Sequence, residues 1–101
     1  ITAANFENEV LRSDKPVLLD FYADWCGPCR MLSPVLHALA EENSSTLKVG
    51  KVNVDEQTEL AARFQVSSIP MLVVFKDGKV AAKSVGYRPK AEIAAMLEDA
   101  R

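Results

Sequence analysis

The chain contains two cysteines, Cys26 and Cys29, which are separated by Gly27 and Pro28 and preceded by Trp25. Cysteines three residues apart on a helical turn point to the same side, with Cα atoms roughly 5–6 Å apart. A disulfide tolerates that separation, so the bond between the two sulfurs can form and break with little movement of the backbone. The spacing therefore predicts a reversible disulfide.

The residues around the pair indicate which sulfur reacts first. Pro28 fits the first turn of a helix without losing a hydrogen bond, which places Cys26 at the helix N-terminus. Unpaired N–H groups and the helix dipole stabilise an anion there by up to about 2 kcal/mol, so we expect Cys26 to be the exposed, nucleophilic thiolate. Cys29 lies one turn inside the helix, and we expect it to be shielded and to resolve the mixed disulfide.

Two other interpretations of the cysteines compete with redox chemistry. A purely structural disulfide that closes a four-residue ring contributes only about 2 kcal/mol, which is little for a domain with its own hydrophobic core. A structural zinc site needs four ligands, whereas the two cysteines and His37, the single histidine, supply three. We therefore predict redox-active cysteines and no metal site.

Length and composition predict a single soluble domain over residues 1–101, which we expect in the cytoplasm. The hydrophobic share of 49% supports an ordinary core, and two cysteines are too few for a disulfide-stabilised secreted scaffold. The net charge of −2 provides no basic stripe for nucleic acid, and no apolar run is long enough for a membrane span. No signal peptide is visible, although a chain that starts with Ile1 rather than Met leaves a removed leader open.

Hydrophobic periodicity and turn residues predict four helices and four strands. The predicted elements are a helix from Thr2 to about Arg12, a strand over 17–23, a helix from the cysteines to about Asn43, a strand over 47–54, a short helix capped by Asp55, a strand over 71–75, a hairpin turn at Asp77-Gly78, a return strand over 80–85 and a helix opened by Pro89. Helices between the first three strands favour parallel pairing, whereas the final hairpin must be antiparallel. The sequence thus predicts an α/β fold with a mixed sheet and helices on both faces.

These features together resemble the thioredoxin family. The resemblance is carried by Asp20-Phe21-Tyr22-Ala23-Asp24, by Trp25-Cys26-Gly27-Pro28-Cys29, by Pro34 and Lys51, and by Ile69-Pro70 and Val85-Gly86. It implies the thioredoxin fold with a mixed central sheet of four to five strands, in which the family's short first strand is reduced to Ile1 at most. It also implies a dithiol–disulfide oxidoreductase that acts as a general disulfide reductase and carries electrons to target proteins.

The resemblance implies partners rather than bound cofactors. Reducing equivalents would come from NADPH through a separate thioredoxin reductase, or from ferredoxin in plastids, and disulfide-containing proteins would be the targets. The chain would act as a monomer, without metal, nucleic acid or membrane. Two other functions stay open: an oxidant or isomerase of an oxidising compartment, against which Gly27-Pro28 argues, and a redox-independent binding subunit of a larger complex.

Asp20 is predicted to be a proton acceptor. A carboxyl group in the middle of a buried strand resists ionisation. The resemblance implies that this acid lies beneath the cysteines and near Lys51. Asp20 would then take the proton of Cys29 through a water molecule, while Lys51 modulates its titration. A buried ion bridge between Asp20 and Lys51 without a catalytic role is the structural alternative.

The resemblance also implies a docking surface for substrate proteins. The peptide bond between Ile69 and Pro70 is expected to be cis and to face the cysteines, where the backbone of Ile69 can pair with an extended substrate strand. An apolar rim around Cys26 is expected to form the contact surface. Its predicted members are Trp25, Gly27, Pro28, Ile69, Pro70, Gly86 and Tyr87.

Overall fold

The computed structural model describes residues 1–100. A π-helical segment, Glu7–Leu11, precedes the first strand. The other elements are, in chain order, β1 (Val17–Tyr22), α1 (Gly27–Glu42), β2 (Lys48–Asn53), α2 (Thr58–Arg63), β3 (Met71–Lys76), β4 (Lys79–Val85) and α3 (Lys90–Asp99). The predicted α/β fold class and the predicted order of helices and strands are confirmed. Within residues 1–100, no helix is long and apolar enough to cross a membrane.

The four strands form one mixed sheet in the order β2-β1-β3-β4. β1 pairs with β2 in parallel, whereas β3 is antiparallel to both β1 and β4, so the prediction of parallel pairing is wrong for β3. The six residues of α2 span only about 9 Å and the six residues of β2 about 20 Å. Because α2 is too short to carry the chain back along the sheet, β3 begins at the edge where β1 and β2 end.

The side chains of β1 alternate between the two faces of the sheet. On one face, Leu19 and Phe21 pack in a core with residues of the N-terminal segment and α2. On the other face, Leu18 packs with residues of α1 and α3. Asp20 shares the face of Leu18 and Tyr22, because residues two apart on a strand point the same way. β1 is therefore a central strand covered on both faces, as predicted, with a carboxyl group on the face that α1 covers.

The helix α1 starts at the cysteine pair. Cys26 is the N-cap residue with an extended backbone, and Pro28 lies in the first turn. Apolar residues at three- and four-residue spacing form the buried face of the helix: Leu32, Leu36 and Leu39. Asn43 is the C-cap residue, as the sequence predicted, and its side-chain amide donates a hydrogen bond of 2.9 Å to the carbonyl of Leu39.

The N-terminal helix that was predicted from Thr2 to about Arg12 is reduced to the five-residue π-helical segment. The side-chain oxygen of Asn5 accepts the backbone N–H of Thr2 at 2.7 Å. Such local bonds compete with a regular helix, which explains the short segment. Ile1 forms no strand, and its amino group donates a hydrogen bond of 2.8 Å to the carbonyl of Lys51 on β2.

The turn between β3 and β4 agrees with the sequence. Asp77 and Gly78 have φ angles of 52° and 78°, the positive values that a tight hairpin needs. Pro89 is the N-cap of α3 rather than its first helical residue, a difference of one position. Ile93 is the fully buried residue of this helix, and it packs on the same face of the sheet as α1.

Candidate active site

Cys26 and Cys29 form a disulfide at the junction between β1 and α1, with their Cα atoms 5.2 Å apart. The sulfur of Cys26 accepts a hydrogen bond of 3.2 Å from the backbone N–H of Cys29. This N–H belongs to the first turn of α1, where N–H groups have no partner inside the helix. The side chain of Cys26 therefore caps the helix and lies at the positive end of its dipole.

The two cysteines are almost equally buried in the disulfide form, at 4% and 3% exposure. The expected difference in exposure between Cys26 and Cys29 is absent in the disulfide form, in which both cysteines form one buried cluster with Ala23, against which Ile69 packs. Their surroundings differ instead. The sulfur of Cys26 lies 3.9 Å from the carbonyl oxygen of Ile69, whereas Cys29 lines a cavity of about 200 Å³ together with Lys51.

Asp20 is fully buried beneath α1. Within residues 1–100, neither of its carboxylate oxygens has a hydrogen-bond partner. Burial raises the pKa of Asp20 from its ordinary value of 3.8 to about 6, and the positive charge of Lys51 offsets part of that rise. A buried acid without a direct partner keeps its lone pairs available for a proton.

Lys51 lies directly opposite Asp20 in the register between β2 and β1. Its ammonium does not bond to that carboxylate. It donates a hydrogen bond of 3.2 Å to the hydroxyl oxygen of Ser33 and lies 4.5 Å from the ring centroid of Tyr22. Asp20 and Lys51 therefore do not form the direct ion bridge of the structural alternative.

The sequence reasoning missed Ser33. It follows Cys29 by four residues, and side chains four apart on a helix share a face. Ser33 is half-buried in the cavity that Cys29 and Lys51 line. The position on the helix could have indicated that Ser33 faces the site, but its partner on β2 depends on how α1 packs on the sheet.

The predicted rim residues come from three separate segments. Trp25, Gly27 and Pro28 are exposed around the start of α1. The Ile69–Pro70 peptide bond is cis, and it lies at the start of β3, close to Cys26. The antiparallel direction of β3 brings these residues together, because the strand begins at the edge of the sheet where β1 ends.

The remaining rim residues lie after β4. The backbone N–H of Gly86 donates a hydrogen bond of 2.8 Å to the carbonyl of Pro70, which joins the end of β4 to the cis bond. Gly86 has a φ of 93°, and the neighbouring Tyr87 is 42% exposed. Pro70 itself is buried, so it supports the rim from below rather than forming its outer surface.

Asp55 has a different role from the one predicted. Gln57 rather than Asp55 is the N-cap residue of α2. The side chain of Asn53 accepts the backbone N–H of Asp55 at 2.9 Å and forms the turn before the helix. The carboxylate of Asp55 is thereby free to accept the indole N–H of Trp25 at 2.9 Å, so it holds the ring beside the cysteines.

Comparison with known proteins decides the family. The sequence model of the family described as Thioredoxin matches residues 1–99. The thioredoxin of Alicyclobacillus acidocaldarius is 46% identical over 98% of this chain and 93% of its own length. That of Pseudomonas aeruginosa is 46% identical over 97% and 91%, and that of Mycobacterium bovis is 48% identical over 98% and 85%. The chain belongs to the thioredoxin family. With Cys26 and Cys29 joined at the start of α1, it is a dithiol–disulfide oxidoreductase.

Membership of the thioredoxin family also bears on the alternatives. Proteins of this family need no bound cofactor. Among residues 1–100, no group of three or more histidine, cysteine, aspartate or glutamate side chains is arranged to hold a metal ion. His37, the third candidate ligand for zinc, is exposed on α1. The thioredoxin relatives favour neither of the two alternative functions. These are an oxidant or isomerase, and a redox-independent subunit of a complex.

Proposed function

We propose that this chain is a general reductase of protein disulfides. The Cys26 thiolate attacks one sulfur of a substrate disulfide, forms a mixed disulfide and releases the other substrate sulfur as a thiolate. The Cys29 thiolate then attacks the Cys26 sulfur, which forms the Cys26–Cys29 disulfide and releases the second substrate thiolate. Two electrons pass from the dithiol to the substrate.

The single observation that carries this proposal is the position of the Cys26 sulfur at the start of α1. The N–H of Cys29 already points at it from 3.2 Å. The same N–H group and the dipole of a 16-residue helix would stabilise a thiolate there once the disulfide is reduced. Cys29 has no comparable position, since it lies inside the first turn. Cys26 is accordingly the nucleophile, and Cys29 is the resolving residue.

The buried carboxyl supports a proton-transfer role. Cys29 must lose its proton before it can attack, and Asp20 lies on the strand face that α1 covers. A pKa of about 6 leaves Asp20 mostly ionised at neutral pH yet able to bind a proton transiently. Asp20 takes the proton of Cys29 through a water molecule, and Lys51 modulates this exchange through its positive charge.

The rim residues support a protein substrate. Trp25 and Tyr87 are large, exposed and apolar. Trp25 directly precedes Cys26, and Tyr87 follows Gly86, whose N–H is bonded to the carbonyl of Pro70. A substrate segment that pairs with the backbone of Ile69 would lie beside Cys26, whose sulfur is 3.9 Å from the carbonyl oxygen of Ile69. Gly27, Pro28 and Gly86 complete this surface, and the buried Pro70 supports it from below.

Partners and location follow from the same proposal. The oxidised pair is reduced again by NADPH through a separate thioredoxin reductase, and disulfide-containing proteins are its targets. The protein acts as a monomeric single domain over residues 1–101, in the cytoplasm. The thioredoxin relatives support the proposed reductase and targets, and the pairing of both cysteines within one chain supports a monomer without an intermolecular disulfide.

Equilibration with glutathione buffers tests the direction of electron flow. We expect a reducing couple: the pair stays largely disulfide-bonded in a buffer whose glutathione is mostly reduced, because the dithiol is the stronger reductant. The fraction of dithiol is read by alkylation and mass spectrometry, with the Cys26→Ser/Cys29→Ser variant as the control. A pair that stays mostly reduced in that buffer would instead be an oxidant, and the proposal would be lost.

A further inference from the structure

Three groups on α1 and β1 can attract the positive charge of the Lys51 ammonium from buried or half-buried positions. Two of them hold it: the hydroxyl oxygen of Ser33 at 3.2 Å and the ring of Tyr22, with its centroid at 4.5 Å. The third is Asp20, its direct partner in the strand register, whose carboxylate oxygens have no hydrogen-bond partner within residues 1–100. A cation opposite a buried acid is thus held by neutral groups instead of by the acid.

We propose that Ser33 is a positioning residue that holds the Lys51 ammonium away from Asp20 and so keeps the Asp20 carboxyl able to exchange protons during the reaction. The relevance of Ser33 to turnover rests on the proposed proton-acceptor role of Asp20. The effect of Ser33 on the titration of Asp20 does not depend on that role.

The physical reason is the distance dependence of the charge interaction. An ammonium that reaches a buried carboxylate pairs with it and favours its ionised form, and a carboxylate held in that form is a weak proton acceptor. The Ser33 hydroxyl gives Lys51 an alternative acceptor on α1, at the wall of the cavity that Cys29 also lines. The cation still favours ionisation of Asp20 from this position, but it does not occupy the carboxylate oxygens.

The other groups that face Asp20 do not compete for this role. On its own strand, Tyr22 shares its face and contributes its ring to Lys51. On β3, the partner of Asp20 is the apolar Leu72, and the nearby titratable group on α1 is Cys29, which is disulfide-bonded here. Asp24 and Arg30 line the same cavity as Lys51 but are exposed. Lys51 is therefore the charge whose position matters most.

Nuclear magnetic resonance of the oxidised protein tests this directly. The carboxyl ¹³C shift of Asp20 is followed against pH in the wild type, Ser33→Ala and Ser33→Thr, and is assigned with an Asp20→Asn variant. In Ser33→Ala we expect the pKa of Asp20 to fall by about one pH unit, because the released ammonium can approach the carboxylate and favour its ionised form. Ser33→Thr keeps the hydroxyl and should retain the wild-type value.

A Lys51→Met background provides the matched control. Without the ammonium, adding Ser33→Ala should leave the pKa of Asp20 unchanged, because Ser33 acts only through Lys51. An unchanged or raised pKa in the single Ser33→Ala variant would overturn the proposal, as would a shift that persists in the Lys51→Met background. The proton-acceptor role fails separately, through an unchanged rate of mixed-disulfide resolution in Asp20→Ala, and that result would leave the Ser33 measurement intact.

Discussion

The indole N–H of Trp25 donates a hydrogen bond of 2.9 Å to the carboxylate of Asp55, which lies 30 residues further along the chain. Trp25 is 68% exposed, so packing alone does not fix its ring. The bond ties the loop after β2 to the residue that precedes Cys26, the proposed nucleophile. A pre-oriented aromatic ring loses less conformational freedom when a substrate protein docks.

Asp55→Ala should weaken docking without unfolding the protein. Loss of one hydrogen bond to a charged group at the surface corresponds to about 1 kcal/mol, or up to about fivefold in the KM for a disulfide-bonded protein. Because Trp25 is the single tryptophan, its fluorescence anisotropy decay reports the increased motion of this ring directly. Asp24→Ala is the matched control, since it removes the same charge beside Trp25 without removing the bond. Equal changes in both variants would show that charge, rather than ring orientation, is responsible.

Replacing each cysteine by serine should give opposite results. In Cys29→Ser, Cys26 can still attack a substrate disulfide but the mixed disulfide cannot be resolved, so a covalent complex should accumulate. In Cys26→Ser, the sulfur at the start of α1 is missing and little complex should form. Non-reducing electrophoresis after incubation with a disulfide-bonded protein measures both. Comparable trapping by the two variants would contradict the order of attack.

Asp20→Ala should slow the second chemical step and leave the first unchanged. Removing a general base lowers the rate by about 100-fold or more when proton transfer limits the step. A reporter thiol attached to Cys26 as a mixed disulfide, with Cys29 intact, gives the rate of resolution by its release. The rate of the initial attack on the reporter disulfide serves as the internal control. A release rate equal to that of the wild type across pH would exclude the proton-acceptor role.

Asp20→Ala should also change how stability depends on pH. Burial raises the pKa of Asp20 from 3.8 to about 6, so the folded state binds this proton more tightly than the unfolded state does. This tighter proton binding stabilises the folded wild type in full below pH 3.8, and the stabilisation is lost as the pH rises through about 6. A difference of about two pH units corresponds to about 3 kcal/mol.

The variant lacks that loss, so its free energy of unfolding relative to the wild type should rise by about 3 kcal/mol between about pH 4 and pH 7. Urea denaturation of the oxidised proteins over this range measures the difference. Other titrating groups cancel because both proteins contain them, and Asp24→Ala, at an exposed position, should follow the wild type. A stability difference that is constant with pH would refute the burial of an ionised Asp20.

Two glycines of the site should differ in their tolerance of alanine. Gly86 has a φ of 93°, a left-handed conformation that costs an L-residue about 1–2 kcal/mol. Gly27 lies in the first turn of α1, and a Cβ there would meet no atom of residues 1–100 within 4 Å. Gly86→Ala should therefore lower the free energy of unfolding by at least about 1 kcal/mol, whereas Gly27→Ala should not. Equal stabilities by urea denaturation would show that the loop after β4 relaxes around the substitution.

Local patterns in the chain were sufficient for most of the elements. Each of these patterns lies within a short stretch of the chain: the apolar run of β1, the periodic leucines of α1 and the Asp77-Gly78 turn. Each element forms where its pattern predicted. The cysteine spacing likewise determined a Cα separation of 5.2 Å, because the turn of a helix sets it locally.

The contacts between distant segments depend on the tertiary structure. The direction of β3 follows from the short span of α2, and it decides that Ile69 lies beside Cys26. Asp55 binds Trp25 instead of capping α2, because Asn53 already occupies the turn. The N-terminal segment likewise departs from its apolar periodicity.

The sequence by itself determined the chemistry of this protein: a cysteine pair at the start of a helix and an acid in a buried strand. The tertiary structure decided which groups share the cavity below that pair, and it placed Lys51 against Ser33 and Tyr22 rather than against Asp20. Helix and strand patterns follow from backbone geometry over a few residues. The neighbours of a buried charge, in contrast, depend on how a helix and two strands pack together.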